Sequence, residues 1–447
     1  MIQPTAASPW HGHDRRPRYL RVRTRFAISV AVSLAWIALS AWLSQRWIEA
    51  LARPLDLPLA ILIVAGIALI PGYLNIQLLL SLLFDRPRAL RFDLDFPRVT
   101  LLVAAYDEGA SIERTLAYAL RQDYPGAVEI LVVDDGSGDD TAERVAAVAR
   151  ADGRVRLIRC PHGGKALALN AGLAETDAPL VASIDADTLL MPWALRHAVA
   201  RMLVSPSDTV AVAGAVLVRN SRSNVLTRLQ EWDYFLGIAS VKRQQALWQG
   251  TLVAQGAFSV YRRDALAAVG GWPDKIGEDI VVTWALIRAG GRTTYEPTAS
   301  GFTDVPSGLG AFVRQRQRWA RGMIEGLRDH GYALLRQPRL HVHGIVGNLL
   351  FPYLDGAYTL AFLPGLALAC FGHFEIAGPM TLAVLPLNVA IASVMFLRQR
   401  ETFAAVGLRV RRNNLGLFGY LVLYTPLLAP VAFLGYVKEL TRRRRVW

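Results

Sequence analysis

The chain has 447 residues, of which 53% are hydrophobic, with a formal net charge of +13. That length favours two or three structural units over one, and the apolar share is high for a soluble globular chain. The charge suggests nucleic acid first, but the arginines sit beside the apolar runs, the pattern of the positive-inside rule and of attraction to anionic lipid, so no nucleic-acid partner is expected.

Residues 1–25 form a basic leader with Arg15, Arg16, Arg18, Arg21, Arg23 and Arg25, which the rule keeps in the cytosol. Phe26 to Leu43 is long enough to cross a bilayer as a helix. A cleaved signal peptide is the competing reading; the long leader and a second apolar run, Leu57 to Phe84, argue against it. The second run contains Pro71 and Gly72, which a membrane helix tolerates. Residues 26–84 are therefore expected to be two transmembrane helices.

Residues 85–340 change character. Short β-branched runs at Val99–Ala105, Val128–Asp134, Val155–Arg159, Leu180–Ile184 and Val210–Val216 read as strands. Helical patterns near Ile112–Arg121, Thr141–Ala149 and Lys165–Ala174 lie between the first four. The alternation implies an α/β domain with a mostly parallel sheet and ligands at the carboxyl ends of its strands. Cys160 lies here and Cys370 in a later apolar run, which argues against a disulfide framework and fits a reducing compartment.

Hydrophobicity resumes over 341–437, with candidate spans near 344–371, 376–397 and 415–437. Pro352, Asp355, Pro364, Pro426 and Pro430 interrupt them, so two or three spans are expected, one of them interfacial or re-entrant if its backbone cannot cross. Three crossings would put the basic tail 438–447, with Arg442 to Arg445, on the opposite side from the leader.

The polar clusters fall where such a sheet binds ligands. Asp185-Ala186-Asp187 ends a buried-looking strand with two carboxylates on one side. Such a pair suits Mg²⁺ held together with substrate phosphates, or is a solvated turn. Asp134 and Asp135 end another strand before Gly136-Ser137. They can accept from base or ribose donors, or form an Asx-type turn capping the helix from Asp139. Lys165, after Gly163-Gly164, opens a helix whose start attracts phosphate. Glu278 and Asp279 open another helix, as caps or as a general base for a sugar hydroxyl. Gln315, Arg318 and Trp319 share a helix expected over Leu309–His330. They offer an amide, a guanidinium for phosphate and an aromatic platform for a sugar ring; an interfacial helix snorkelling against lipid is the other reading.

Ala104-Ala105-Tyr106-Asp107-Glu108, Asp134-Asp135-Gly136-Ser137, Gly164-Lys165-Ala166, Asp185-Ala186-Asp187, Glu278-Asp279 and Gln315-x-x-Arg318-Trp319 stand in the order of the processive family 2 glycosyltransferases. The resemblance covers roughly residues 20–440 and extends to Gly256–Trp272 and Tyr295-Glu296-Pro297; it is nearest to bacterial poly-β-1,6-N-acetylglucosamine synthases. It implies a GT-A-type domain over 85–340, with Ala105, Asp107, Glu108, Asp134, Asp135, Lys165 and Asp185 around the nucleotide. It further implies Asp185 and Asp187 on Mg²⁺ or Mn²⁺, Asp279 as base beside Glu278, and Gln315, Arg318 and Trp319 on the diphosphate and acceptor. The partners implied are a UDP-sugar donor, a growing polysaccharide acceptor, membrane lipids and, for cyclic-nucleotide control, a small membrane subunit. The location implied is a bacterial inner membrane, multi-pass, with the catalytic domain cytoplasmic. The sequence departs from the family pattern at Asp107, commonly Asn, and at Gly277 and Val281, often Thr and Asp. A non-processive transfer of one sugar to a lipid is the alternative function.

Overall fold

The computed structural model describes residues 20–378 and 385–441. Arg15, Arg16, Arg18, Arg442 to Arg445 and part of the candidate span 376–397 lie outside them.

Eight strands form one sheet in the order β3-β2-β1-β4-β7-β6-β8-β5. β1 (Val99–Ala105), β2 (Val128–Asp134), β3 (Val155–Arg159) and β4 (Leu180–Asp185) are the parallel half. The near-continuous apolar sequence of β1, β2 and β4 follows from burial on both faces, and the edge strand β3 is only partly buried. Val99, Leu101 and Val103 pack with Ile112, Leu116 and Val145 on one face. Leu102 and Leu131 pack with Leu169, Val282 and Leu286 on the other. The second half is mixed: β7 (Phe258–Arg262) runs against β4 and β6 (Thr209–Val218), β8 (Arg292–Thr303) runs with β6, and the two-residue β5 (Leu189–Leu190) runs against β8. The sheet is thus α/β with a parallel half, and its antiparallel pairs are made by β7 with β4 and β6 and by β5 with β8.

Among the described residues three helices are long and apolar enough to cross a membrane: Val22–Leu43, Leu57–Phe84 and Asn414–Leu440. The helical stretch 342–369 carries His343, Pro352 and Asp355, and Leu385–Ala405 ends in Arg398, Arg400 and Glu401. Pro352 and Asp355 lower the hydropathy of the expected span 344–371, and the helix Leu385–Ala405 runs past the expected span 376–397 into the charged Arg398, Arg400 and Glu401.

The long helices are joined to one another and to a helical layer by charged side chains. Arg25 Nη1 donates to the Phe84 carbonyl at 3.0 Å, and Arg398 Nε to that of Leu82 at 3.1 Å. Asp85, just after Phe84, takes the buried Arg243 guanidinium at 2.8 Å, and Arg243 also reaches Gln399 and Thr402. Arg243 belongs to a helical layer, 225–247, opened by an Asn224–Thr227 capping box. Its Trp232, Phe235 and Leu236 pack against Leu82, Leu217, Ile391 and Met395. This layer lies between the sheet and the apolar helices.

Candidate active site

The carboxyl ends of β1 and β2 build one wall. The Ala105 carbonyl accepts from Asp135 N at 2.9 Å, which locks the two strand ends together. Asp135 is buried, and its two carboxylate oxygens accept from the backbone N–H groups of Gly163 and Gly164 at 2.8 and 2.9 Å. Its charge therefore fixes the turn that presents Lys165. Asp134 accepts from Ser137 N at 3.2 Å, the Asx-type turn the sequence allows. Asp107 holds the left-handed backbone region, φ 53°, and accepts from Gly138 N at 2.8 Å, while its own N–H donates to Ser137 Oγ. Glu108 N donates to Thr141 Oγ1 at 2.8 Å. The Tyr106 and His162 rings stand 4.3 Å apart, tilted by 32°, and both are exposed. They give this wall an aromatic edge on which a base can stack.

The charged centre lies where β4 ends. Lys165 Nζ donates to Asp185 Oδ1 at 2.5 Å and stands 3.3 Å from Glu278 Oε1. Burial alone would depress the Lys165 ammonium, but Asp185, Glu278 and Asp279 together hold it above its ordinary value. Burial pushes the Glu278 carboxyl up, against the pull of Lys165 and with the repulsion of Asp279 and Asp185. Room for this cluster depends on Gly256: a Cβ there would meet Lys165 Nζ at 2.5 Å. Gly256 N also donates to Asp279 Oδ2 at 3.3 Å. Asp279 Oδ1 accepts from Ile280 N at 2.8 Å, so this carboxylate sits at the start of the Glu278–Arg288 helix, half-buried and facing the cluster.

Asp187 accepts from Thr303 Oγ1 at 3.1 Å, and burial, followed by the neighbouring Asp185, pushes its carboxyl up to about 6. Two carboxylates crowded in this way are a donor set that a hard divalent cation relieves. Among the described residues no cluster of three or more His, Cys, Asp or Glu side chains could hold a metal. Asp185 and Asp187 would supply two of the oxygen ligands that such a cation takes.

The third wall is the Leu309–Gly326 helix, which continues through a wider helical turn to Gly331. It crosses the Glu278–Arg288 helix at two glycines: a Cβ on Gly277 would meet Gly322 Cα at 2.5 Å, and one on Gly322 would meet Gly277 Cα at 2.7 Å. Gly277 N donates to the buried Glu325 carboxylate at 3.1 Å. Arg318 is exposed and makes no ion pair with the described residues. Trp319 is 38% exposed, so part of its side chain is open to a ligand. Gln315 Oε1 is buried without a hydrogen-bond partner, an acceptor left open at the same helix. Tyr234 connects this wall to β4. Its ring centroid is 6.2 Å from that of Trp319, and burial, joined by the charges of Asp233, Asp187 and Asp185 and opposed by Arg316, pushes its phenol up to about 12.

The structure thus gathers Lys165, Asp185, Glu278 and Asp279 into one centre, with Asp187 at its edge and the Gln315–Trp319 helix across the two-glycine crossing. It sets Ala105, Asp107, Glu108, Asp134 and Asp135 in the adjoining wall, where Asp135 acts on the loop. Sequence reasoning missed Gly256, Tyr234, His162 and the Gly277–Gly322 pair. Gly256 and Gly277 stood inside quoted segments, but a glycine needed for close approach carries no chemical signal.

The mixed sheet, with its polar centre at the strand ends, is of the GT-A class of fold. Residues 97–322 match the model of the family described as glycosyltransferase like family 2, and the chain belongs to that family. It is 33% identical over 246 residues to the poly-beta-1,6-N-acetyl-D-glucosamine synthase of Staphylococcus aureus, a match covering 55% of this chain and 59% of the relative. It is 33% identical over 288 residues to an N-acetylglucosaminyltransferase of Sinorhizobium fredii, covering 61% and 68%. The matched segment spans less than two thirds of the staphylococcal relative. Among solved structures, a mannosyltransferase of Pyrobaculum calidifontis in complex with GDP-Man and Mn²⁺ superposes with a TM-score of 0.54 at 19% identity, over 95% of this chain and 100% of that one. At that identity the likeness establishes the fold.

Proposed function

We propose that the chain is a membrane-embedded, inverting glycosyltransferase that takes N-acetylglucosamine from UDP-N-acetylglucosamine and extends a β-linked polysaccharide. The observation that carries this reading is the meeting of Lys165, Asp185, Glu278 and Asp279 beside the helix of Gln315, Arg318 and Trp319. The names of the relatives from Staphylococcus aureus and Sinorhizobium fredii support the sugar and, for the first, the polymeric product.

The chemistry follows from the positions. The wall of Ala105, Asp107, Glu108, Asp134 and Asp135, with the Tyr106–His162 edge, receives the nucleoside. The acceptor sugar stacks on Trp319, and its hydroxyl gives its proton to Asp279 as the oxygen attacks the anomeric carbon. The new glycosidic bond forms as the bond to the diphosphate oxygen breaks, and UDP leaves with the electron pair. Lys165, Arg318 and Gln315 meet the charge and the polar atoms of the departing diphosphate. A Mg²⁺ or Mn²⁺ held by Asp185 and Asp187 would supply further charge neutralisation there.

The division of the chain follows the same reading. Residues 26–84 span the membrane twice, 85–340 form the catalytic domain at the cytoplasmic face of a bacterial inner membrane, and 341–437 return to the bilayer and receive the product for export. Lipids surround these spans, and any cyclic-nucleotide control would need a partner subunit. The apolar helices support the membrane placement.

Membranes holding the chain, incubated with UDP-N-acetylglucosamine and Mn²⁺, test the reading. Wild type should yield a polymer, and Asp279→Asn should lower the rate by roughly 10²–10⁴-fold, the worth of a general base. Unchanged synthesis by Asp279→Asn refutes the assignment of the base, and a single-sugar lipid as the only product replaces polymerisation with one transfer.

A further inference from the structure

Behind Trp319 lies a buried ionic arrangement that none of the roles above uses. Arg316 is 3% exposed, and its guanidinium carbon lies 4.0 Å from the centroid of the Trp319 ring. The same group lies 5.3 Å from the Phe312 ring and 5.8 Å from that of Tyr234. Its charge is balanced by Asp233, with Nη2 3.0 Å from Oδ2. Asp233 Oδ2 accepts in turn from the hydroxyl of Tyr424 at 2.8 Å. Asp233 belongs to the helical layer 225–247 and Tyr424 to the apolar helix Asn414–Leu440. Gly237 leaves the space this needs, since a Cβ there would meet the Tyr420 hydroxyl at 2.8 Å and Asp233 Oδ1 at 3.2 Å.

A guanidinium is costly to bury, and here Arg316 Nε finds no hydrogen-bond acceptor. The face of Trp319 is its largest remaining favourable contact, and cation–π attraction is strongest for tryptophan and grows with desolvation. The stack therefore fixes the orientation of an indole that is partly exposed. Three elements hold one ring: its own helix through Arg316, the 225–247 layer through Asp233, and the C-terminal apolar helix through Tyr424.

We propose that Arg316 is a positioning residue that sets the Trp319 ring for the acceptor sugar, and that Asp233 and Tyr424 tie this setting to the C-terminal helix. The proposal rests on the transferase reading for what Trp319 binds. A tilt of the C-terminal helix, which that reading places in the membrane beside the product, then shifts Asp233 and loosens the acceptor platform. The polymer's grip and the state of the helix are coupled through one ion pair and one hydroxyl.

The full chain in detergent micelles, labelled with 5-fluorotryptophan, tests it, with the Trp319 ¹⁹F resonance assigned by its loss in Trp319→Phe. Arg316→Lys keeps the charge and gives up the planar stack. Tyr424→Phe leaves Arg316 in place and removes only the hydroxyl on Asp233. The Trp319 resonance should move in both variants. The KM for an N-acetylglucosamine oligomer as acceptor should rise roughly 3- to 30-fold in Arg316→Lys and less in Tyr424→Phe, with the KM for UDP-N-acetylglucosamine constant within about twofold. A Trp319 resonance unmoved by Arg316→Lys, or equal rises in both KM values, overturns the proposal. If Arg316→Lys fails to fold, Tyr424→Phe alone decides by the same two readouts. A wild type that uses no UDP-sugar, with a resonance that still moves in the variants, removes the transferase reading and supports the positioning.

Discussion

Gly277→Ala isolates the contact that joins the helix of Asp279, the proposed base, to that of Trp319, the proposed acceptor platform. The added Cβ would lie 2.5 Å from Gly322 Cα and 3.1 Å from its carbonyl carbon, whereas ordinary contact begins at 3.4–4 Å. Both obstacles are backbone, so no side chain can rotate away, and the two helices must part by about 1 Å in a close-packed interior. Asp279 moves with one helix and Trp319 with the other. A displacement of about 1 Å between reacting groups can cost roughly 10²-fold in rate, or about 2.7 kcal/mol of barrier. The stability cost is smaller, about 1–3 kcal/mol for overpacking. The N–H of Gly277 that donates to Glu325 is strained by the same motion. The assay is initial UDP release by purified chain, with titration by UDP and Mn²⁺ as the control for an intact donor wall. Gly277→Ala should bind UDP as wild type does and turn over about 100-fold more slowly, and Gly277→Thr, which restores the residue common in the family, should be worse. Turnover by Gly277→Ala within about threefold of wild type, with binding intact, would refute the reasoning that the crossing sets the geometry.

Three further outcomes follow from other parts of the structure. Lys165→Met removes the cation that occupies Asp185, so Mn²⁺ alone should bind more tightly, seen as a larger bound fraction by electron paramagnetic resonance, while UDP binds more weakly for want of the positive charge. His197, on the helix packed against β8, is pushed down by burial to about 4 from an ordinary 6.5. The unfolded chain therefore binds more protons between those values, and stability, full above pH 6.5, is lost as pH falls toward 4, by roughly 3 kcal/mol. Thermal midpoints from pH 4 to 7 should show part of that slope vanish in His197→Phe. Glu439 accepts from Arg321 at 3.0 Å and from Arg328 at 3.1 Å, and is buried. Glu439→Gln should cost on the order of 3 kcal/mol in detergent, and an unchanged midpoint would show that this strap carries no load.

Much of the parallel half of the sheet was legible because its physics is local. β1, β2 and β4 are largely buried, so their sequences are short apolar runs, while the edge strand β3 carries the exposed Arg156 and Arg159, and the helices between them show their own period. The start of Lys165–Ala174 and the ends of β1, β2 and β3 fall where the sequence puts them. β7 and β8 were not legible. Ser259 and Tyr261 in β7 place hydroxyls inside the core, where they donate to the carbonyls of Gln255 and Ala254. β8 bends through Pro297 with a register shift against β6, so neither strand shows alternation. Leu189–Leu190 is too short for any period to appear.

The candidate site shows the same division between chemistry and placement. Carboxylates, Lys165 and Trp319 announce themselves by type, because few structural roles gather such groups at strand and helix ends. Which of them act on a ligand and which on the protein depends on partners far away in sequence. Asp135 is chemically the equal of Asp185, yet its oxygens are taken by Gly163 and Gly164, while those of Asp185 face Lys165. Arg316 and Arg318 are two residues apart, and the helix turns one into the core against Asp233 and the other outward. Asp279, the proposed base, comes from one helix and Trp319, the proposed acceptor platform, from another, and Gly277 and Gly322 let the two helices cross by bringing no side chain there. Catalytic competence in this chain therefore rests on residues chosen for what they lack as much as on those chosen for what they carry.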